Sequence, residues 1–182
     1  MLFCPVKLTC GGTSALVQQS LLDSGAGICH MTYRLWTFMG IHELLWKDNP
    51  KLCKQMGINA PYQMSFDTLP LASTVSMLGD GREVKVYEFR LSALELGLPS
   101  LAFPHSIPFK NINVRLINRE DSAFIVGWNI LKYLQHTYHP SPSNLIYELE
   151  LTEAGKQLFE NDRKNKVAND MQSMFKYQVS VG

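Results

Sequence analysis

The sequence predicts a mainly β protein with one inserted helix and a C-terminal strand–helix extension. Three observations carry this. Apolar and polar residues alternate with period two on either side of two glycine turns; the period becomes helical between Tyr33 and Lys47; and Pro140-Ser141-Pro142-Ser143 breaks the chain near its end. A main domain over residues 1–140 and an extension over 141–182 follow.

Val6, Leu8 and Cys10 alternate with Lys7 and Thr9, as in a half-buried strand. Gly11-Gly12 turns the chain, and Ala15 to Leu22 returns it as the second arm of a hairpin that ends at Asp23. Leu35, Trp36, Phe38, Met39, Ile41, Leu44, Leu45 and Trp46 then form a broad helical face opposite Arg34, Thr37, Glu43 and Lys47. Gly40 is its weak point and Asn49-Pro50 its end. Loop and short helix are expected from 51 to 72. A second hairpin follows, with Thr74 to Leu78 and Val84 to Leu91 as arms, Gly79-Asp80-Gly81-Arg82 as turn, and Leu94 to Leu96 as continuation. After a loop spaced by Pro104 and Pro108 come strands at Ile112–Leu116 and Phe124–Val126, then a short helix from Gly127 to Leu134. The extension reads as a strand, Asn144 to Glu150, and a polar helix from Thr152, its cap, to about Phe175.

Composition narrows the function classes. Lys and Arg total 17 against 16 for Asp and Glu, and no basic stripe exists, so nucleic acid is not an expected partner. No apolar run reaches the length of a membrane span, so no membrane partner is expected either. The N-terminus lacks the basic and apolar regions of a secretory signal. Cys4, Cys10, Cys29 and Cys53 have unrelated spacings, so reduced thiols in a cytoplasmic setting are expected.

One segment is site-like: Leu21-Leu22-Asp23-Ser24-Gly25-Ala26. A carboxylate that directly follows an apolar strand is carried toward the core, and partial burial is unfavourable unless hydrogen bonds or a shared proton offset it. Ser24 can supply a hydroxyl, and Gly25 a backbone N–H brought close by a tight turn. An ordinary strand-end turn would look the same in isolation.

In context the chain resembles the retropepsin-like aspartic proteases, the family of the retroviral enzymes. Three features carry the resemblance in order: the apolar strand entering Asp23-Ser24-Gly25-Ala26; the hairpin Met77-Leu78-Gly79-Asp80-Gly81-Arg82-Glu83-Val84, similar to the family's flap; and Phe124-Ile125-Val126-Gly127-Trp128-Asn129-Ile130-Leu131, similar to its second apolar strand, glycine and short helix. The match spans about Val6 to Tyr133. It implies a closed β-barrel/sheet acid-protease fold, with Asp23, Ser24 and Gly25 as catalytic motif. It also implies that Ala26, Gly79, Asp80, Gly81 and Arg82 bind an extended peptide, with no cofactor or metal. Two departures stand out: Gly27 replaces the small polar or acidic residue usual after the motif, and the segment from Ala26 to the hairpin is long.

Aspartic proteolysis needs two carboxylates sharing a proton. Asp67-Thr68-Leu69 and Asp121-Ser122-Ala123 lack the motif's glycine, so the second carboxylate is expected from Asp23 of another subunit in a homodimer. The resemblance gives Ser24 the role of bracing the paired loops. A non-catalytic dimerisation or peptide-binding module is the alternative. Cys29-His30 does not build a thiolate–imidazole pair, since adjacent strand residues face opposite ways. His136 and His139 lack companion ligands nearby and are expected at the surface.

Overall fold

The computed structural model describes residues 2–97, 107–120, 122–140, 145–164 and 176–180. Strands β1 (Leu2–Cys10) and β2 (Thr13–Leu22) form the first expected hairpin, with Val6, Leu8 and Val17 buried. The ladder shifts register between Cys4 and Val6, where Pro5 has no N–H to contribute.

β3 (Cys29–Thr32) leads into helical turns. The expected helix is broken in two, α1 (Tyr33–Phe38) and α2 (Ile41–Asp48), because Gly40 adopts φ +74°, a left-handed angle that ends one helix and starts the next. Thr32 caps α1, its Oγ1 accepting from Leu35 N at 3.3 Å. Trp36 is fully buried and stacks on Tyr33. Asn49-Pro50 does end α2, but Pro50 also opens α3 (Pro50–Gln55), since a proline at the first helical position loses no hydrogen bond. A single 3-10 turn (Pro61–Gln63) completes the insertion.

The second hairpin is β4 (Ser73–Met77) and β5 (Glu83–Leu96). β5 is 14 residues long and serves two neighbours on one edge: Glu83 to Tyr87 pair with β4, and Ala93 to Leu96 with β1. Its other edge pairs with β6 (Ile107–Ile117), so Pro108, expected in a loop, lies within a strand opposite Glu95. Residues 98–106, the rest of that expected loop, lie outside the described residues. β7 (Phe124–Val126) is short and inserted between β2, to which it is parallel, and β3, to which it is antiparallel. The strand order β1-β2-β7-β3-β6-β5-β4, with the further β1–β5 pairing, gives a mixed sheet that folds back on itself. Its interior is filled by Leu8, Met31, Leu91, Leu94, Phe109, Leu116 and Phe124.

The short helix α4 (Trp128–Leu131) ends three residues before expected, because Leu134 already begins a strand, β8 (Leu134–Pro140). β8, β9 (Leu145–Leu151) and β10 (Lys176–Ser180) form a separate antiparallel sheet. α5 (Glu153–Lys164) carries the expected Thr152 cap, whose Oγ1 accepts from Gly155 N at 3.2 Å. Leu151 and Phe159 join the main core. The proline–serine break at 141–143 and the expected helix beyond Lys164 fall outside the described residues. Among those described, no helix is long and apolar enough to cross a membrane.

Candidate active site

The Asp23 loop is built where β2 and β7 end side by side. Leu21 pairs with Ile125 and Leu22 with Val126, and Asp23 N donates to Val126 O at 3.0 Å. The turn then closes on itself: Ala26 N donates to Asp23 O at 3.2 Å, and Gly25 N to Asp23 Oδ1 at 2.9 Å. Half-burial and a backbone N–H on the carboxylate are what the sequence led us to expect. The bond restricts the rotamer of Asp23 and leaves Oδ2 for other work.

The chain beyond β7 locks the loop from behind. Trp128 N donates to Ala26 O at 2.6 Å and Asn129 N to Gly27 O at 3.1 Å. The Asn129 side chain ties three segments together: Oδ1 accepts from Cys29 N at 2.9 Å, and Nδ2 donates to Asn113 O at 3.0 Å. Gly127 N donates to Cys29 Sγ at 3.3 Å. Burial pushes the Cys29 thiol up to about 11, against the lowering effect of that Gly127 bond. It is therefore a protonated structural group near neutral pH and not a nucleophile.

Asp23, Gly25 and Ala26 open onto a cavity of about 580 Å³ roofed by the second hairpin. Val75 and Met77 on β4, 60% and 67% exposed, also line it, as do Leu78 and Gly79. Exposed apolar side chains facing a carboxylate across a cleft suit an extended chain with apolar side groups. His30, Arg115 and Ile125 supply another wall. Among the described residues that line the cavity, Asp23 is the one carboxylate.

The remaining expected site residues stand elsewhere. Ser24 is exposed and lines a second hollow of about 380 Å³ with Leu2, Leu22, Trp128 and Leu134. Asp80, Gly81 and Arg82 form the hairpin tip, outside the cavity lining. There the Asp80 carboxylate accepts from Arg82 N at 3.0 Å and Nε at 2.7 Å, and these bonds hold its pKa below the ordinary value. Gly81 has φ +83°. Gly81→Val should therefore strain the tip and cost about 1 kcal/mol or more of stability, whereas Gly79, which has no left-handed φ, should tolerate alanine. Chemical denaturation of the two variants checks this.

From sequence, His30 enters only in a rejected pair with Cys29 and Met77 only within the flap-like hairpin, and Arg115 and Val75 are not singled out. Alternation places His30 and Arg115 opposite the buried residues of their strands, but on β4 the apolar Val75 and Met77 are exposed and Ser76 is buried, the reverse of what alternation suggests. The pairing that brings these strands to Asp23 is not legible in either case. His30 has a pKa below the ordinary 6.5: burial is the main cause and the nearby Arg115 charge adds to it, while the Ile28 backbone opposes. The unfolded chain thus takes up a proton that folded His30 resists. Stability contributed by the neutral ring is present above the ordinary value and is lost as pH falls below it. His30→Gln should gain thermal stability relative to wild type on going from about pH 7 to pH 5, as read from melting curves. Side chains of His136 and His139 lie outside the described residues. Among the described residues, no three His, Cys, Asp or Glu side chains gather as metal ligands.

No family model matches the chain, and no curated protein does. Among solved structures it is similar to the retroviral protease-like domain of Ddi1 from Leishmania major, at 20% identity and a TM-score of 0.40, with 80% of this chain and 86% of that one covered. It is also similar to a retropepsin-like aspartic protease from Rickettsia conorii, at 12% identity and a TM-score of 0.36, with 99% and 83% covered. Both of these solved structures are retropepsin-like domains.

Proposed function

We propose that the chain is an aspartic endopeptidase that works as a homodimer with one Asp23 from each subunit. The observation that carries this is the Asp23 loop itself: a half-buried carboxylate, held by Gly25 N, at the end of paired strands and opening into a cavity under a hairpin. A single carboxylate does not complete the reaction. An ionised carboxylate takes a proton from water as the water oxygen bonds to the scissile carbonyl carbon. A protonated carboxyl gives its proton to the carbonyl oxygen. Breaking the C–N bond then returns a proton to the leaving amine. A second Asp23 supplies the missing group at no cost in sequence.

The exposed face around Ser24 supports a second copy as its occupant. Ser24 belongs to the same loop as Asp23, and the hollow beside it is apolar, with Trp128 51% exposed at its rim. A two-fold contact there buries that apolar surface and brings the two loops together. Roles for Ser24 in bracing the loops, and for Gly79 to Arg82 in closing over substrate, belong to the same reading.

Subunit mixing tests it. If wild-type and Asp23→Asn subunits exchange freely, peptide-cleaving activity should fall as the square of the wild-type fraction, because mixed dimers hold one carboxylate. A linear decline would place a complete site within one subunit, and the dimer mechanism would be wrong.

A further inference from the structure

Period two determines which residues of β3 and β6 face the core. Cys29 and Met31 are buried on β3, as are Val114 and Leu116 on β6, so His30 and Arg115 occupy the opposite face. The strands are parallel and pair His30 with Arg115. Cross-strand partners on one face are close neighbours. Both line the Asp23 cavity, and Arg119 lines it as well.

Arg115 is weakly satisfied for a side chain that is only 27% exposed. The Glu88 carboxylate oxygen Oε1 is 3.8 Å from Arg115 Nε, too far for a hydrogen bond. Its Nη1 reaches Ser76 Oγ only at 3.5 Å, and its Nε is buried without a hydrogen-bond partner. His30 Nδ1 is likewise buried with no partner of acceptable geometry. A guanidinium presents a planar fork that matches a carboxylate, and a partly desolvated one gains most from acquiring it.

We propose that Arg115 and His30 form a cationic subsite of this cavity that takes an acidic side chain, Glu or Asp, of the peptide substrate. The assignment of a substrate rests on the protease reading above. Arg115 supplies the charge and the fork; His30 beside it supplies a ring N–H. The apolar Val75 and Met77 contact neighbouring residues of the same extended chain, so the favoured sequence combines apolar positions with one acidic position.

The test uses the full chain and a library of peptides from a digested proteome, with cleavage sites read by mass spectrometry. Asp and Glu should be enriched at one position near the scissile bond. For a synthetic pair differing as Glu and Gln there, kcat/KM should favour Glu about tenfold or more. Arg115→Gln should bring that ratio to about one, and Arg115→Lys should keep part of it. Absence of acidic enrichment, or a ratio that survives in a folded Arg115→Gln protein, overturns the subsite. If Arg115→Gln does not fold, the wild-type ratio and its decline with added salt decide the matter. Capture of the same library by the Asp23→Asn protein separates the two readings. Acidic peptides retained by it but left uncut by wild type keep the subsite and remove the protease. Cleavage without acidic preference does the reverse, and neither capture nor cleavage overturns both.

Discussion

In the proposed dimer, Asp23→Asn should abolish peptide cleavage while leaving the fold and assembly intact. The amide oxygen can still accept from Gly25 N, the 2.9 Å bond that shapes the loop, so the local geometry has no reason to change. What is lost is the proton chemistry: an amide neither takes a proton from water nor gives one to a carbonyl. General acid–base groups contribute about 10² to 10⁴-fold each, and in the proposed dimer one substitution removes both. A fall of at least about 10³-fold in kcat/KM is expected, with circular dichroism and sedimentation unchanged. Retention of a tenth of the activity would move catalysis away from Asp23 altogether. The buried, protonated Cys29 offers no substitute nucleophile.

Gly127→Ala should have the largest effect on stability. Gly127 has φ −94°, which any residue adopts, so its requirement for glycine comes from proximity. A Cβ there would lie 2.5 Å from the Ile28 carbonyl carbon, 2.6 Å from its oxygen and 2.8 Å from Cys29 N. All three are backbone atoms, fixed by β3 pairing and by the Asn129 bond to Cys29 N. They cannot swing aside as a side-chain tip would. Overpacking of this kind costs about 3 kcal/mol. The displacement would also reach the Asp23 loop through Trp128 N and Asn129 N, which hold Ala26 and Gly27. Chemical denaturation should show the loss. Gly12→Ala is the control: nothing lies within 4 Å of its Cβ, and its midpoint should scarcely move.

The first two hairpins and the Asp23 loop were legible because each depends on near neighbours in sequence. Alternation defines the buried faces of β1 and β2, glycines mark the turns, and the Asp-Ser-Gly order predicts a carboxylate held by its own backbone, as the Gly25–Asp23 bond shows. Helical period located the inserted segment correctly. Its break at Gly40 was marked as a weak point, yet a pattern of apolar residues does not reveal a φ of +74°. β8 and β10 were missed. Leu134 to Tyr138 follows directly on a helix, and Lys176 to Ser180 is a five-residue edge strand whose pairing is with β9 alone. Such strands exist through a distant partner, which local propensity does not encode.

The sequence by itself determined the mainly β architecture, the place of the Asp23 carboxylate and the lack of a second Asp-Ser-Gly motif in this sequence. Those follow from period, composition and motif order, all of them local. Only the tertiary structure decided what surrounds Asp23. Pairing of β3 with β6 sets His30 beside Arg115 across 85 positions of chain, and the insertion of β7 between β2 and β3 brings that pair to the Asp23 loop. Asn129 and Gly127, unremarkable as residue types, become indispensable because they lie where two loops touch. Strand registry between distant segments is fixed by the packing of the whole core, since a slip of one residue would turn every buried side chain outward.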